Sequence, residues 1–170
     1  MKNVLFTPHF SLLEFTESPT ARKHGIANVP PAEAVENLKR LCENTLEPLR
    51  EALQLPVVIT SGFRTKALND ILAHPSERSQ HMAGQAADFY VVPGSKFKVQ
   101  GETHRELLIK AFRLIIQSEL IDYDQLILYP TFIHVSYVSR ERNRRTILLG
   151  MRNGKLGYGK CSLAKALQLT

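Results

Sequence analysis

The fold is decided by the stretch Asp124-Gln125-Leu126-Ile127-Leu128-Tyr129-Pro130-Thr131-Phe132-Ile133-His134-Val135-Ser136-Tyr137. Its two halves are rich in β-branched and aromatic residues, and they flank the short interruption Tyr129-Pro130-Thr131. Two such runs around a proline-containing turn predict two antiparallel strands joined as a β-hairpin. We therefore expect an antiparallel sheet in the second half of the chain.

Three further stretches predict strands on either side of this hairpin. Pro56-Val57-Val58-Ile59-Thr60 is short, rich in β-branched residues and bounded by turn formers, which predicts a buried strand. Ala86-Ala87-Asp88-Phe89-Tyr90-Val91-Val92 predicts a second strand before the hairpin. Thr146-Ile147-Leu148-Leu149 predicts an added strand at an edge of the sheet.

Helical patterns dominate the first half of the chain. Apolar residues recur at helical spacing from about Pro31 to Leu53, which predicts an amphipathic helix that Pro48 must kink or restart. Thr65 is placed to cap a short helix, and Thr103 opens a capping-box pattern ahead of a mostly buried helix. Helices followed by antiparallel strands predict an α+β fold, with the helices packed on one face of a small, mainly antiparallel sheet.

Length and composition set the class of protein. The chain has 170 residues, 44% of them hydrophobic and 22% charged, which suits a single domain over residues 1–170 and excludes disordered, collagen-like and coiled-coil chains. There is no run of about 18 apolar residues and no secretory leader, so we expect a soluble monomer that is cytoplasmic as synthesised. Cys42 and Cys161 form no disulfide framework, and we expect two free thiols.

The positive charge is concentrated in a basic C-terminal tail from about residue 140. Between Val138 and Lys165 eight basic residues face Glu141 alone, although the whole chain carries only +6. Such a tail fits nucleic acid, an anionic membrane face, an anionic cell-wall polymer with acidic stem peptides, or simply a solvated surface. Because the tail lacks interleaved aromatic residues and any recognition motif, we expect no nucleic-acid partner.

The stretch Ser79-Gln80-His81-Met82-Ala83-Gly84-Gln85-Ala86-Ala87-Asp88 is the strongest candidate for chemistry. His81 lies in a loop and Asp88 in the following strand, and Gly84 between them permits a tight reversal. A hydrolytic zinc site needs three protein ligands and one open position, and His134 on the hairpin is a candidate for the third ligand. Spacing alone also fits a chance His-x6-Asp pattern and a hydrogen-bonded core histidine.

Three motifs in order resemble one family. Ser61-Gly62-Phe63-Arg64, then Ser79 to Asp88, then Ile133-His134-Val135-Ser136-Tyr137 are similar to the motifs of the zinc D-alanyl-D-alanine carboxypeptidase family. That family also holds bacteriophage L-alanyl-D-glutamate endolysin peptidases and vancomycin-resistance D-Ala-D-Ala dipeptidases. The resemblance runs from about Phe10 to Asn143, so most of the basic tail lies outside it.

The resemblance implies a hedgehog/DD-peptidase-like fold and a role for each matched residue. His81, Asp88 and His134 would bind Zn²⁺, Arg64 would contact the substrate carboxylate or the polarised carbonyl, and Ser79 would bind substrate or support a metal ligand. The implied activity is that of a zinc-dependent D,D-carboxypeptidase or endopeptidase acting on peptidoglycan stem peptides or cross-links. Such an enzyme would reach the wall through phage-type lysis, or serve inside the cell.

The general base is the one part of this site that the sequence leaves unassigned. Many members of the family carry an acid three residues before the second zinc histidine, and others carry one at the end of the preceding strand. This chain has Thr131 and Tyr129 at those positions, and both side chains are poor bases near neutral pH. Asp124 is the nearest acid and our catalytic candidate, with Asp122 as the weaker one. A zinc-containing domain that binds wall peptides or a protein partner without cleaving is the alternative.

Overall fold

The computed structural model describes the backbone of residues 3–93, 103–152 and 155–169. It describes the side chains of the same residues, except those of 151–158. A small two-stranded sheet lies near the N-terminus and a six-stranded sheet forms the centre. The strands are β1 (Leu5–Thr7), β2 (Phe10–Ser11), β3 (Val57–Ser61), β4 (Ala86–Val91), β5 (Gln125–Leu128), β6 (Ile133–Ser136), β7 (Thr146–Arg152) and β8 (Lys155–Lys160).

Short helices surround the central sheet, and two of them are long enough to carry a full apolar face. The α-helices are α1 (Leu12–Thr16), α2 (Pro19–Lys23), α3 (Ala32–Leu41), α4 (Glu47–Leu53), α5 (Lys66–Asp70), α6 (His104–Gln117) and α7 (Leu163–Leu167). Thr65 caps α5 and Thr103 opens α6 with a capping box, as expected. In the described part of the chain, none of these helices has the length and apolarity to cross a membrane.

The central sheet has the order β3-β4-β6-β5-β7-β8. All neighbouring strands are antiparallel except β5 and β7, which are parallel. The predicted hairpin is present as β5 and β6, and its loop is closed by the Tyr129 backbone N–H donating to the Phe132 carbonyl at 3.0 Å. The α+β class expected from the sequence is therefore confirmed.

The two faces of the sheet differ because side chains alternate along each strand. One face contributes fully buried residues such as Phe89, Ile133 and Val135 to a single apolar core, into which the inward sides of α3, α4 and α6 also pack. The opposite face carries Asp88 and His134. The sheet is thus a rigid floor, with the core beneath it and polar groups above it.

The predicted helix over Pro31–Leu53 is present but interrupted. A single π-helical turn, Cys42–Leu46, separates α3 from α4, and Pro48 lies in the first turn of α4. Proline has no N–H to donate to the carbonyl four residues earlier, which here is that of Asn44. That carbonyl instead accepts a hydrogen bond from the Asp122 backbone N–H at 3.0 Å. The Asn44 carbonyl that Pro48 leaves without a helical partner therefore links the helix to the segment that leads into β5.

Two strand predictions need correction. β3 was expected to be buried, but it is an edge strand in which Val57 is buried and the remaining residues are half-buried or exposed. The strand at Thr146–Leu149 was expected at an edge, but β7 lies inside the sheet because β8 pairs with its far side. The sequence did not predict β8, since its two glycines weaken any strand pattern.

The two cysteines, Cys42 and Cys161, are free thiols and both are buried.

Candidate metal centre

The register of β4 and β6 brings two of the predicted metal ligands together. Asp88 and His134 are directly opposed across this antiparallel pair, and both side chains project from the same face. Directly opposed residues have Cβ atoms about 5 Å apart. Asp88 Oδ1 and His134 Nδ1 lie 2.8 Å from each other. The sheet itself therefore fixes the spacing of these two groups.

His81 reaches them from a 3₁₀ turn, Gln80–Ala83, that ends at Gly84. Gly84 has a φ of +68°, a conformation that L side chains rarely adopt. A Cβ on Gly84 would also lie 2.3 Å from the backbone oxygen of Ala34 in α3. The tight reversal expected at Gly84 is confirmed, and only glycine allows the turn to pack this closely on the helix.

Backbone carbonyls set the orientation of the His81 ring. His81 Nδ1 lies 2.6 Å from the Gly62 carbonyl oxygen and donates its hydrogen to it, and the His81 carbonyl accepts from the Arg64 backbone N–H at 3.1 Å. A hydrogen on Nδ1 leaves the lone pair on Nε2, the nitrogen that points toward Asp88 and His134. The turn and the loop after β3 thus hold the imidazole as a ready ligand.

The three donor atoms form a compact triangle. His81 Nε2 lies 3.2 Å from His134 Nδ1 and 3.3 Å from Asp88 Oδ1. Ligand atoms arranged tetrahedrally around zinc at about 2.0–2.1 Å are separated by about 3.3–3.4 Å. Two imidazoles and one carboxylate are also a donor set that zinc accepts. The donor chemistry and two sides of the triangle therefore fit a zinc ion, whereas the Asp88–His134 side, at 2.8 Å, is about 0.5 Å shorter than a tetrahedral ion requires.

Electrostatics favours the protonation states of His81 and Asp88 that metal binding requires. Burial lowers the pKa of His81 below its ordinary value, which favours the neutral imidazole. Burial alone would raise the pKa of Asp88, but the nearby His81 and His134 rings hold it well below its usual range. A neutral imidazole and an ionised carboxylate are the forms that bind metal ions.

Arg64 is hydrogen-bonded to Asp88, one of the predicted metal ligands. Its Nη2 donates to Asp88 Oδ2 at 2.8 Å, and its Nε donates to the Ser61 hydroxyl at 3.0 Å. One oxygen of Asp88 thus faces the two histidines while the other is held by a guanidinium. Arg64 also lines the cavity above the site. Its predicted contact with substrate stays a prediction, and its described contacts orient Asp88.

Asp124 reaches the same cavity but its carboxylate is already occupied. It accepts hydrogen bonds from the Arg144 backbone N–H at 2.8 Å, from the Arg144 guanidinium, and from Gln80 Nε2 at 2.9 Å. Burial alone would raise the pKa of Asp124, but these bonds and the charge of Arg144 lower it to about 2. A useful base has a pKa near the working pH, so these contacts weigh against the predicted base role.

Of the remaining sequence candidates, Ser79 and Tyr129 line the cavity, whereas Thr131 and Asp122 do not. Ser79 lines it, and its hydroxyl does not cap the 3₁₀ turn that follows. Tyr129 also lines the cavity, with its ring stacked on Phe132 at a centroid distance of 4.3 Å. Thr131 is exposed on the hairpin loop, where its carbonyl lies 2.8 Å from His104 Nε2. Asp122 is turned to another partner, Arg145, at 3.1 Å.

Sequence reasoning missed Gln80 and Arg144 as parts of the site. Arg144 donates hydrogen bonds to both Asp124 and the Gln80 side chain, so it connects the 3₁₀ turn that carries His81 to the start of β5. The available signal was the dense run of arginines directly after the His134 strand, which we had treated only as a basic tail. The structure places its first part, including Arg142, on the wall of the cavity.

The cavity has a volume of about 840 Å³ and its floor is the polar face of the central sheet. A protein-family model described as Peptidase M15 matches residues 8–117, which is well over half of the chain. The matched part holds Arg64, Ser79, His81 and Asp88, whereas His134 lies beyond it. This match confirms the family resemblance, and it covers the first two of the three motifs. A comparison with curated proteins found no match.

Proposed function

The chain belongs to the Peptidase M15 family, and on that premise we propose that it is a zinc peptidase acting on peptidoglycan. Its substrates would be stem peptides or cross-links, cleaved as by a D,D-carboxypeptidase or an endopeptidase. The observation that carries the proposal is the convergence of three ligand atoms on the floor of an open cavity. Three ligands leave a tetrahedral ion one position for the reaction, which is the arrangement of hydrolytic rather than structural sites.

Each residue of the centre has a task in this proposal. His81, Asp88 and His134 would hold the ion, and Arg64 orients Asp88 through a hydrogen bond to its Oδ2. When bound, zinc lowers the pKa of a coordinated water to about 7 and polarises a carbonyl group. Ser79 lies on the cavity wall, where a hydroxyl can hydrogen-bond a peptide. The side chains around the centre thus bind and orient the peptide.

One observation favours a second candidate function, a zinc-containing domain that binds wall peptides or a protein partner without cleaving them. Among the described residues, the two carboxylates on the cavity wall are Asp88 and Asp124, and each is paired with an arginine. The positions where relatives carry an acid hold Thr131 and Tyr129. A peptidase with this wall would transfer protons slowly, because general base catalysis contributes about 10²–10⁴-fold to rate.

Digestion of purified peptidoglycan distinguishes the two candidates. We expect the zinc-loaded protein to release new amino and carboxyl groups, and the masses of the products to identify the bond that is cut. Chelation and Asp88→Asn should abolish the release, whereas the control His24→Ala, which changes an exposed histidine outside the cavity, should not. Wild-type protein that binds the peptides with no chelator-sensitive product would instead establish the binding function.

We further propose that the 170 residues act as one monomeric domain that reaches the wall after phage-type lysis. The single-domain part is supported by one apolar core that runs from Phe10 to Ala166 in the described residues. Sedimentation at micromolar concentration should give one species near the chain mass of 19.2 kDa. A stable dimer would contradict the monomeric part of this proposal.

A further inference from the structure

The wall of the cavity carries more positive than negative side chains. Its arginines and carboxylates are Arg64, Arg78, Arg142, Arg144, Asp88 and Asp124. Both carboxylates are already matched, since Arg64 pairs with Asp88 at 2.8 Å and Arg144 with Asp124. These two pairs contribute little net charge to the cavity.

Arg78 and Arg142 are the arginines that remain. They come from different segments, Arg78 from the connection before the 3₁₀ turn and Arg142 from the loop after β6. Both are exposed, and neither forms an ion pair with the described residues. Glu77 and Glu141 adjoin them in sequence, but neither acid contributes to the cavity wall. Arg142 also interacts electrostatically with Glu141, and both guanidinium groups border the cavity that a substrate would enter.

We propose that Arg78 and Arg142 make this cavity selective for stem peptides that carry free side-chain carboxylates, and that they disfavour the corresponding side-chain carboxamides. This inference rests on the proposed peptidase function and names its substrate class. A guanidinium binds a carboxylate through two parallel hydrogen bonds, whereas a carboxamide offers one acceptor and no charge. Like charges lining one cleft also add their fields and concentrate anionic ligands there.

The size of the effect follows from the exposure of both arginines. Exposed ion pairs are weak and screened by salt, so each arginine contributes less than a buried pair would. We expect the double variant Arg78→Gln/Arg142→Gln to lower kcat/KM for the carboxylate peptide about 5- to 20-fold at low salt. The same variant should leave kcat/KM for the carboxamide peptide within about 2-fold, because no charge is lost there.

The test compares a synthetic stem pentapeptide having free side-chain carboxylates with its fully side-chain-amidated counterpart. The wild-type enzyme should prefer the carboxylate form, the preference should shrink in 0.5 M salt, and the double variant should lose it. Arg22→Gln, an exposed arginine outside the cavity, is the matched control and should keep the wild-type preference. Equal wild-type rates on the two peptides, or a preference that survives in the double variant, would overturn the proposal.

A binding measurement separates this inference from the peptidase function. If neither peptide is cleaved, the peptidase function fails, and titration calorimetry of the zinc-loaded protein with both peptides decides the selectivity alone. Tighter binding of the carboxylate peptide, lost in Arg78→Gln/Arg142→Gln, would support it. Equal affinity for the two peptides, or no binding of either, would overturn it.

Discussion

Replacing Asp124 with asparagine distinguishes a carboxylate that holds the cavity wall from one that accepts a proton in catalysis. The Asp124 side chain is only 1% exposed and accepts hydrogen bonds from Arg144 and Gln80. In Asp124→Asn one carboxylate oxygen becomes an NH₂ group, which meets the donors of those two residues. The variant therefore loses the charge and at least one charge-assisted hydrogen bond while keeping the volume.

The expected loss of stability follows from these contacts. A hydrogen bond to a charged group contributes about 1.5–3 kcal/mol, and breaking a buried ion pair costs about 3–5 kcal/mol. The Arg144 side chain is 56% exposed and regains water when its partner is lost, which reduces the cost. We expect Asp124→Asn to lower the free energy of unfolding by about 2–4 kcal/mol and the Tm by about 5–15 °C.

The assay combines urea unfolding with kcat/KM measured well below the Tm of the variant. If Asp124 positions the wall, folded Asp124→Asn keeps its zinc and loses less than about 10-fold in kcat/KM, whereas loss of a general base costs about 10²–10⁴-fold. Asp122→Asn is the matched control, since Asp122 is also buried and paired with an arginine but lies off the cavity wall. A large fall in kcat with unchanged stability in Asp124→Asn alone would refute the positioning role.

The pH dependence of this difference gives an independent check. The pKa of Asp124 is lowered to about 2 in the folded protein from its ordinary value of 3.8. A lowered carboxyl pKa stabilises the fold above the unfolded value, and the stabilisation disappears as pH falls through the folded value. The gap in unfolding free energy between wild type and Asp124→Asn should therefore be full at pH 7 and shrink between about pH 4 and pH 2. A gap that grows on acidification would contradict the ion pair.

Two substitutions and one labelling experiment test the residues that support the candidate metal centre and the core. Gly84→Ala should lower the free energy of unfolding by more than about 2 kcal/mol in urea, since it combines a positive φ with overlap on Ala34; a loss below about 1 kcal/mol would contradict this. Arg64→Gln should weaken zinc binding about 10- to 100-fold in a chelator competition, because Asp88 loses its orienting partner; unchanged affinity would contradict this. Cys42, whose thiol pKa is raised by burial, should be alkylated only on unfolding, and fast labelling of the native protein would contradict its burial.

The three candidate ligands could be predicted largely from local sequence patterns, which indicate the two strands and the chain reversal between His81 and Asp88. Asp88 and His134 lie in strands with clear β patterns, and Gly84 marks the reversal that brings His81 back. The register between β4 and β6 decides whether the two strand residues are opposed. Nothing local in either strand encodes that register, so the resemblance to a family had to supply it.

The role of the arginines after β6 could not be predicted from local pattern. Arg144 and Asp124 are twenty residues apart, and the parallel pairing of β5 with β7 brings the segment before β7 against the start of β5. Parallel strands that pair in a sheet are not joined by a short turn, so the sequence pattern of each strand alone does not predict the contact between Arg144 and Asp124. For the same reason the strand at Thr146–Leu149 was placed at an edge.

Anomalous diffraction at the zinc edge, from crystals of protein purified without added metal, tests the central claim most directly. We predict one strong peak about 2.0–2.2 Å from His81 Nε2, His134 Nδ1 and Asp88 Oδ1. A map with no peak among these three atoms, or with zinc bound only elsewhere on the chain, would contradict the account.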